Sequence, residues 1–301
     1  MSVSKGNKKV LKKWQPYFLI FPVLAVFTVF MFYPFFKTLY MSFFQGTLTD
    51  STQEFVGFEN YSSIFHSSDF MKILGNTLLY ILLFLIFALI APYIFAFILS
   101  FCINKGKEFY KATFFLPSVI SVVVGTMIFT WLLNPLSGPV AGVAAFFGIE
   151  VPIWTETQSL VILGMSIITC WKIFGYNFIV IMAGIGSVPL EVIESARMDN
   201  IPNWRIFLNI VVPMSSSTGI YVLIMAIVTG LQQVFTPIMM ITQGGPNSAS
   251  SNLMYEVYDQ AFAMFDPGIA AAYAMIMMIL FAFLLWLEFR FVEKGVYYSG
   301  K

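Results

Sequence analysis

Long apolar runs separated by short polar stretches set the pattern of this chain. Runs long enough to carry a helix across a bilayer, roughly 20 residues each, cover Tyr17 to Phe44, Asn76 to Ile103, Ala112 to Leu133, Leu160 to Ile185, Met214 to Ile241 and Ile269 to Phe289. The pattern predicts an all-α, polytopic membrane protein with six transmembrane helices. A shorter run, Pro139 to Ile149, cannot span and predicts a re-entrant or interfacial piece. Pro22, Pro34, Pro92, Pro117 and Pro237 fall inside the long runs, where each removes a backbone hydrogen bond and invites a kink. Membrane helices tolerate such breaks where neighbouring helices or a wet cavity satisfy the freed groups, which favours a conduit over a simple anchor.

The boundaries give a tail over 1–16, a six-helix body over 17–292 and a second tail over 293–301. The basic start, MSVSKGNKKVLKKW, runs into an apolar stretch too long for a signal-peptide core, so it reads as an uncleaved first span. Composition agrees with a bilayer: of 301 residues, 59% are hydrophobic and 10% charged. A net charge of +1 gives no basis for nucleic-acid binding, which needs a basic surface. Cys102 and Cys170 both lie in apolar runs, where a thiol behaves as a small hydrophobe, and no disulfide is expected.

Charge changes the picture through its distribution. With the N-terminus inside, the inner segments hold Lys5, Lys8, Lys9, Lys12, Lys13, Lys105, Lys107, Lys111, Arg197, Arg205, Arg290, Lys294 and Lys301, and the outer loops hold Lys72 alone. The outer loops carry Asp50, Glu54, Glu59, Asp69, Glu150, Glu156, Glu256, Asp259 and Asp266 instead. Positive residues near span ends stay cytoplasmic, so both termini are expected in the cytoplasm. The same count puts a polar island there, Val188 to Pro213, with Glu191, Glu194, Arg197, Asp199, Asn200, Asn203 and Arg205 between two apolar runs. So much charge in a chain so short of it predicts a surface presented to a soluble partner.

Chemistry is sparse. The chain has no G-x-x-x-x-G-K-[ST] loop to cradle ATP phosphates and no H-E-x-x-H, and its lone histidine is His66. Neither a cofactor nor a metal is expected on it. Lys37 and Lys172 are the cations that the pattern places within spans, and Lys37 is near enough to an end to snorkel. Lys172 is near mid-span, where a cation facing lipid costs at least about 2.5 kcal/mol. It is expected to face a cavity, or to hydrogen-bond carbonyls of a neighbouring helix. Trp171, Tyr176 and Asn177 beside it offer an aromatic face and hydrogen-bond donors suited to polar, ring-shaped solutes. Gly230, Leu231, Gln232, Gln233 and Thr236 occupy the middle of the next span, where the glutamines suit a cavity face or interhelical contacts.

The island resembles the EAA loop of binding-protein-dependent ABC importer permeases, in Glu194-Ser195-Ala196, Asp199-Asn200, Phe207, Ile210 and Pro213. Ser195 stands where the family has alanine, Asn200 where it has glycine, and Ile201 and Pro202 follow in place of a small residue. Phe55-Val56-Gly57-Phe58-Glu59-Asn60-Tyr61 is similar to the FVG-x-x-NY outer loop of the carbohydrate-uptake branch, to which the maltose transporter belongs, and Thr242-Gln243-Gly244-Gly245-Pro246 to its T-x-GGP segment. The resemblance implies a prokaryotic inner or cytoplasmic membrane and a coupling helix docked on a cytoplasmic ATPase, with Glu191, Glu194, Ser195, Ala196, Asp199 and Asn200 as the coupling residues. It implies a second permease chain, two ATPase subunits that bind ATP and Mg, and an extracytoplasmic solute-binding protein. The family's solute-contact positions fall near Lys172, Ile173 and Tyr176 in the fourth span and Ile227, Gly230, Leu231 and Val234 in the fifth. With Asn177, Gln232 and Gln233 they form the expected substrate path. A sugar or oligosaccharide is the expected cargo; an anionic solute such as an acidic sugar or glycerol phosphate is the alternative, and a secondary transporter or channel the competing class.

Overall fold

The computed structural model describes residues 5–46, 54–103 and 105–291. Asp50 and the tail over 293–301, with Lys294 and Lys301, lie outside the described residues. Among the described residues five helices are long and apolar enough to cross a membrane: Pro16–Met41, Phe70–Cys102, Gln158–Ile185, Ser216–Thr242 and Pro267–Glu288. The third apolar run departs from the single helix that its length predicts. It forms Lys107–Val119 and Val122–Leu132, bent by 101°, and the pair taken as one span makes six. The short run is the 8-residue helix Pro139–Phe146, about 12 Å long at 1.5 Å per residue and too short to cross. Strand structure among the described residues is a two-residue antiparallel ladder, Phe44 with Phe55 and Gln45 with Glu54.

The prolines shape the helices in a consistent way. Proline lacks an N–H and crowds the carbonyl four residues before it. Before Pro34, Pro92 and Pro213 the helix widens into the π-turns Thr28–Phe32, Ile86–Ile90 and Phe207–Val211. The residue preceding each proline then bonds five residues back: Tyr33 N–H to Thr28, Ala91 to Ile86 and Val212 to Phe207. The helices therefore run on with a local bulge. Pro117 lies next to the larger break, where the first half of the third span ends with the Ile120 N–H bonded to the Pro117 carbonyl.

The chain divides into two compact units, Met1–Ile64 with Val257–Ile276 and Phe65–Glu256 with Met277–Lys301. In the first, Asn60 Nδ2 donates to the carbonyls of Ser42 (2.9 Å) and Phe44 (3.0 Å), and the Tyr61 hydroxyl donates to Ser42 Oγ (2.7 Å). The Asn and Tyr of the FVG-x-x-NY stretch thus satisfy polar groups left where the first long helix ends. The second unit is organised on the fourth span, which packs against the second, the third and the fifth. Two glycines allow close approaches between spans. A Cβ on Gly175 would lie 2.1 Å from the Phe114 carbonyl oxygen, and one on Gly230 would lie 2.4 Å from the Phe84 ring. Small residues at such crossings let helices come close enough for dispersion contacts to hold them together in lipid.

Candidate functional site

The island folds as a helix over Leu190–Met198, opened by Pro189 and with Glu191 in its first turn and Arg197 in its last. That order complements the helix dipole. It ends where Asn200 takes a left-handed conformation, φ 55°. The Ile201 N–H then reaches the Ala196 carbonyl and the Asn200 N–H that of Arg197, each at 3.0 Å, which closes the last turn as a Schellman cap. Pro202 precedes a second short helix, Asn203–Ile206.

The helix is sorted by face. Ile193 (0% exposed) and Ala196 (5%) turn inward with Val188 and Ile206, onto a cluster that includes Phe97, Leu99, Phe178, Ile181 and Ile185. Glu191, Glu194, Ser195, Asp199 and Asn200 are exposed. Arg197 Nη2 donates to the Phe101 carbonyl at 2.8 Å, tying the helix to the end of the second span. Ala196 therefore packs within this chain, and the outward set consists of the other five. The result is an acidic face on a rigid mount.

The mid-span cluster is built round the break in the third span. Lys172 Nζ donates to the carbonyls of Ser118 (2.9 Å) and Ile120 (2.6 Å). These are among the carbonyls that a helix end leaves without an intrahelical partner, and a cation also suits the negative end of the dipole. Ser118 Oγ donates to the Lys172 carbonyl and accepts from the Tyr176 N–H, both at 3.1 Å, so it bridges one turn of the fourth span. Gly175 makes room for that approach.

Asn177 has a different task. It is buried, and its Nδ2 donates to the Ala88 carbonyl at 2.6 Å. Ala88 is four residues before Pro92, so this is the carbonyl that the proline deprives of its helical donor. Tyr176 instead stays 45% exposed, with its hydroxyl 3.3 Å from that of Tyr221, also 45% exposed, on the fifth span. Gly230, Leu231 and Val234 are buried, Gln233 is half-buried and Gln232 exposed. Tyr221 and Gln232 are eleven residues apart, just over three whole turns, and so share a face of the fifth span. Among the residues expected in the path, Lys172, Tyr176 and Gln232 keep accessible surface, while Asn177, Gly230, Leu231 and Val234 are enclosed by the chain itself.

Sequence reasoning missed Ser118 and Tyr221, whose importance depends on partners more than 40 residues away. It also missed the strapping of the loop after the fifth span. Asn76 Nδ2 donates to the carbonyls of Ser248 and Ser251 (2.9 and 3.0 Å), the Tyr80 hydroxyl to that of Ser250 (3.0 Å), and Lys72 Nζ to that of Asn247. The T-x-GGP stretch begins that loop, with Gln243 and Gly244 in left-handed conformations. No group of three or more His, Cys, Asp or Glu with metal-holding geometry is found among the described residues.

Residues 104–294 match the family model described as the binding-protein-dependent transport system inner membrane component. The chain is similar to the sn-glycerol-3-phosphate transport system permease protein UgpA of Yersinia enterocolitica, 29% identical over 292 residues that cover 95% of this chain and 96% of that one. UgpA of Shigella flexneri is 27% identical over 303 residues, 99% of this chain and 100% of that one. Among solved structures, a chain of a bacterial ABC transporter involved in the import of the acidic polysaccharide alginate matches with a TM-score of 0.82 and 20% identity, covering 97% of this chain and 99% of that chain. That likeness is one of fold.

Proposed function

We propose, from the premise that the chain belongs to the binding-protein-dependent transport system inner membrane component family, that it is one permease half of an ABC importer for a polar, anionic solute. Membership makes it a non-catalytic membrane subunit of an ABC transporter. Its assembly is a second permease, two ATPase subunits that use ATP and Mg, and an extracytoplasmic solute-binding protein. Both termini and the island lie in the cytoplasm of a prokaryotic cell, as the distribution of Lys and Arg supports.

The observation that carries this reading is the acidic face of Leu190–Met198 on its apolar mount. The chain contains no phosphate-binding loop, so the work of ATP must reach it mechanically. A helix fixed to the second and fourth spans by Ile193, Ala196 and Arg197 moves as one body with them. Glu191, Glu194, Ser195, Asp199 and Asn200 face outward to enter a groove of the ATPase, with Glu194 paired to a basic residue there. ATP binding draws the two grooves together and turns the permeases from inward- to outward-facing.

The solute class is supported by relatives named for glycerol phosphate and by the fold shared with an importer of acidic polysaccharide. Lys172 supplies positive charge behind the Tyr176–Tyr221 pair, and Gln232 continues the same path. Enclosed Asn177, Gly230, Leu231 and Val234 form its wall rather than its surface, and half-buried Gln233 lies between the two. A neutral sugar is the second reading, favoured by the two exposed phenols, which suit a sugar ring. ATP-driven uptake into vesicles carrying the whole transporter and its binding protein separates the two. Glycerol phosphate or uronate oligosaccharides are expected to accumulate and neutral maltooligosaccharides are not; accumulation of the neutral series alone overturns the anionic assignment.

A further inference from the structure

Glu288 is the last residue of the sixth span's apolar stretch and is 7% exposed. Its Oε1 meets no hydrogen-bond donor among the described residues. With Phe281, Leu284 and Leu285 it forms an i, i+3, i+4, i+7 stripe, one face of the helix. That face and Ile224, Ile227 and Val228 of the fifth span line a cavity of about 240 Å³. Every lining side chain except Glu288 is hydrocarbon. A carboxylate in such a setting has exchanged water for a surface that offers it no donor, an unfavourable arrangement until a counter-charge arrives. Acidic groups at this position in a membrane helix face a partner rather than bare lipid.

We propose that this cavity is a lipid site that takes the primary ammonium of an aminophospholipid against Glu288 and the beginning of its hydrocarbon against the apolar stripe. Charge complementarity selects the head, because a carboxylate binds an ammonium and repels a phosphate that has no amine beside it. The direction of the stripe selects a lipid. From Glu288 at the end of the apolar stretch it runs inward through Leu285 and Leu284 to Phe281, about 10 Å along the helix, and a phospholipid changes from charged head to hydrocarbon in the same sense. An ammonium with its three N–H donors can satisfy Oε1 directly, whereas the methylated amine of phosphatidylcholine cannot.

The test is native mass spectrometry of the transporter after reconstitution in nanodiscs of phosphatidylethanolamine and phosphatidylglycerol in equal parts. The wild-type chain is expected to retain phosphatidylethanolamine over phosphatidylglycerol by about fivefold, equivalent to roughly 1 kcal/mol. Glu288→Gln is expected to bring that ratio near unity, and Glu288→Asp to keep it. Val228→Trp, which fills the cavity and leaves the charge in place, is expected to lower the retained lipid. Equal retention by wild type and Glu288→Gln overturns the proposal. So does a photo-crosslink from position 285 to another protein chain in place of lipid, which would assign the cavity to a subunit contact.

Discussion

The island helix and the middle of the fourth span both set charge beside an apolar core, and they dispose of it in opposite ways. On Leu190–Met198 the sorting is radial: Ile193 and Ala196 go in, while Glu191 and Glu194 are left exposed. In the fourth span Lys172 is drawn onto the Ser118 and Ile120 carbonyls at the break in the third. Charge at a water boundary is retained as surface; charge within hydrocarbon is retained by satisfying a backbone defect. On the proposed reading the first region is the docking face, and the second is a joint between helices. Arg197 links the two manners, since it stands on the docking helix yet gives a hydrogen bond to the Phe101 carbonyl.

Substitutions on opposite faces of the island break the comparison most sharply. Glu194→Lys is expected to abolish uptake and to free ATP hydrolysis from dependence on solute, while stability changes by no more than about 0.5 kcal/mol, as for other exposed positions. Ile193→Ala, one residue away but fully buried, is expected to cost about 2–5 kcal/mol of stability through the cavity it leaves. Thermal unfolding of both variants, paired with uptake and ATPase assays, checks the contrast. Similar unfolding temperatures for the two would deny the radial sorting.

At the joint the effects are smaller. Gly175→Ala forces a methyl onto the Phe114 carbonyl and is expected to cost about 1–3 kcal/mol, read as a lowered melting temperature in detergent. Lys172→Met leaves two carbonyls without a donor and is expected to cost about 1–3 kcal/mol. If Lys172 also attracts the solute, its loss raises the transport constant for an anionic cargo and not for a neutral one; an unaltered constant returns the residue to a purely structural role. Tyr221→Phe removes one hydroxyl from a 3.3 Å contact and is expected to change apparent affinity by about 0.5–1.5 kcal/mol at most. Uptake kinetics measure this smallest effect.

Regions also differ in how far sequence discloses them. Five spans and the amphipathic island follow from local length and period, because an apolar run of bilayer length has few other ways to bury its backbone. The 101° break after Val119 does not. Pro117 hinted at disturbance, but Ile120 and Ser121 carry no glycine or proline to mark so sharp a turn. Asn177 reads locally as a path residue beside Lys172 and Tyr176, and nothing local reveals that Pro92, on another helix, leaves the Ala88 carbonyl open to it. The EAA-like stretch puts Ala196 among the expected coupling residues, and helical phase sets it beside Ile193 on the inner face of the helix. Glu288, a carboxylate at the end of an apolar run, reads locally as interfacial, whereas the fold buries it. For Asn177 a partner on another helix, rather than residue type, is what decides the role.

Solute flux through proteoliposomes containing this permease and its permease partner, with and without the ATPase subunits, tests the central claim most directly. The account predicts ATP-dependent flux when the ATPases are present, its loss with Glu194→Lys, and none when they are absent. Sustained flux through the permeases without the ATPases would contradict it.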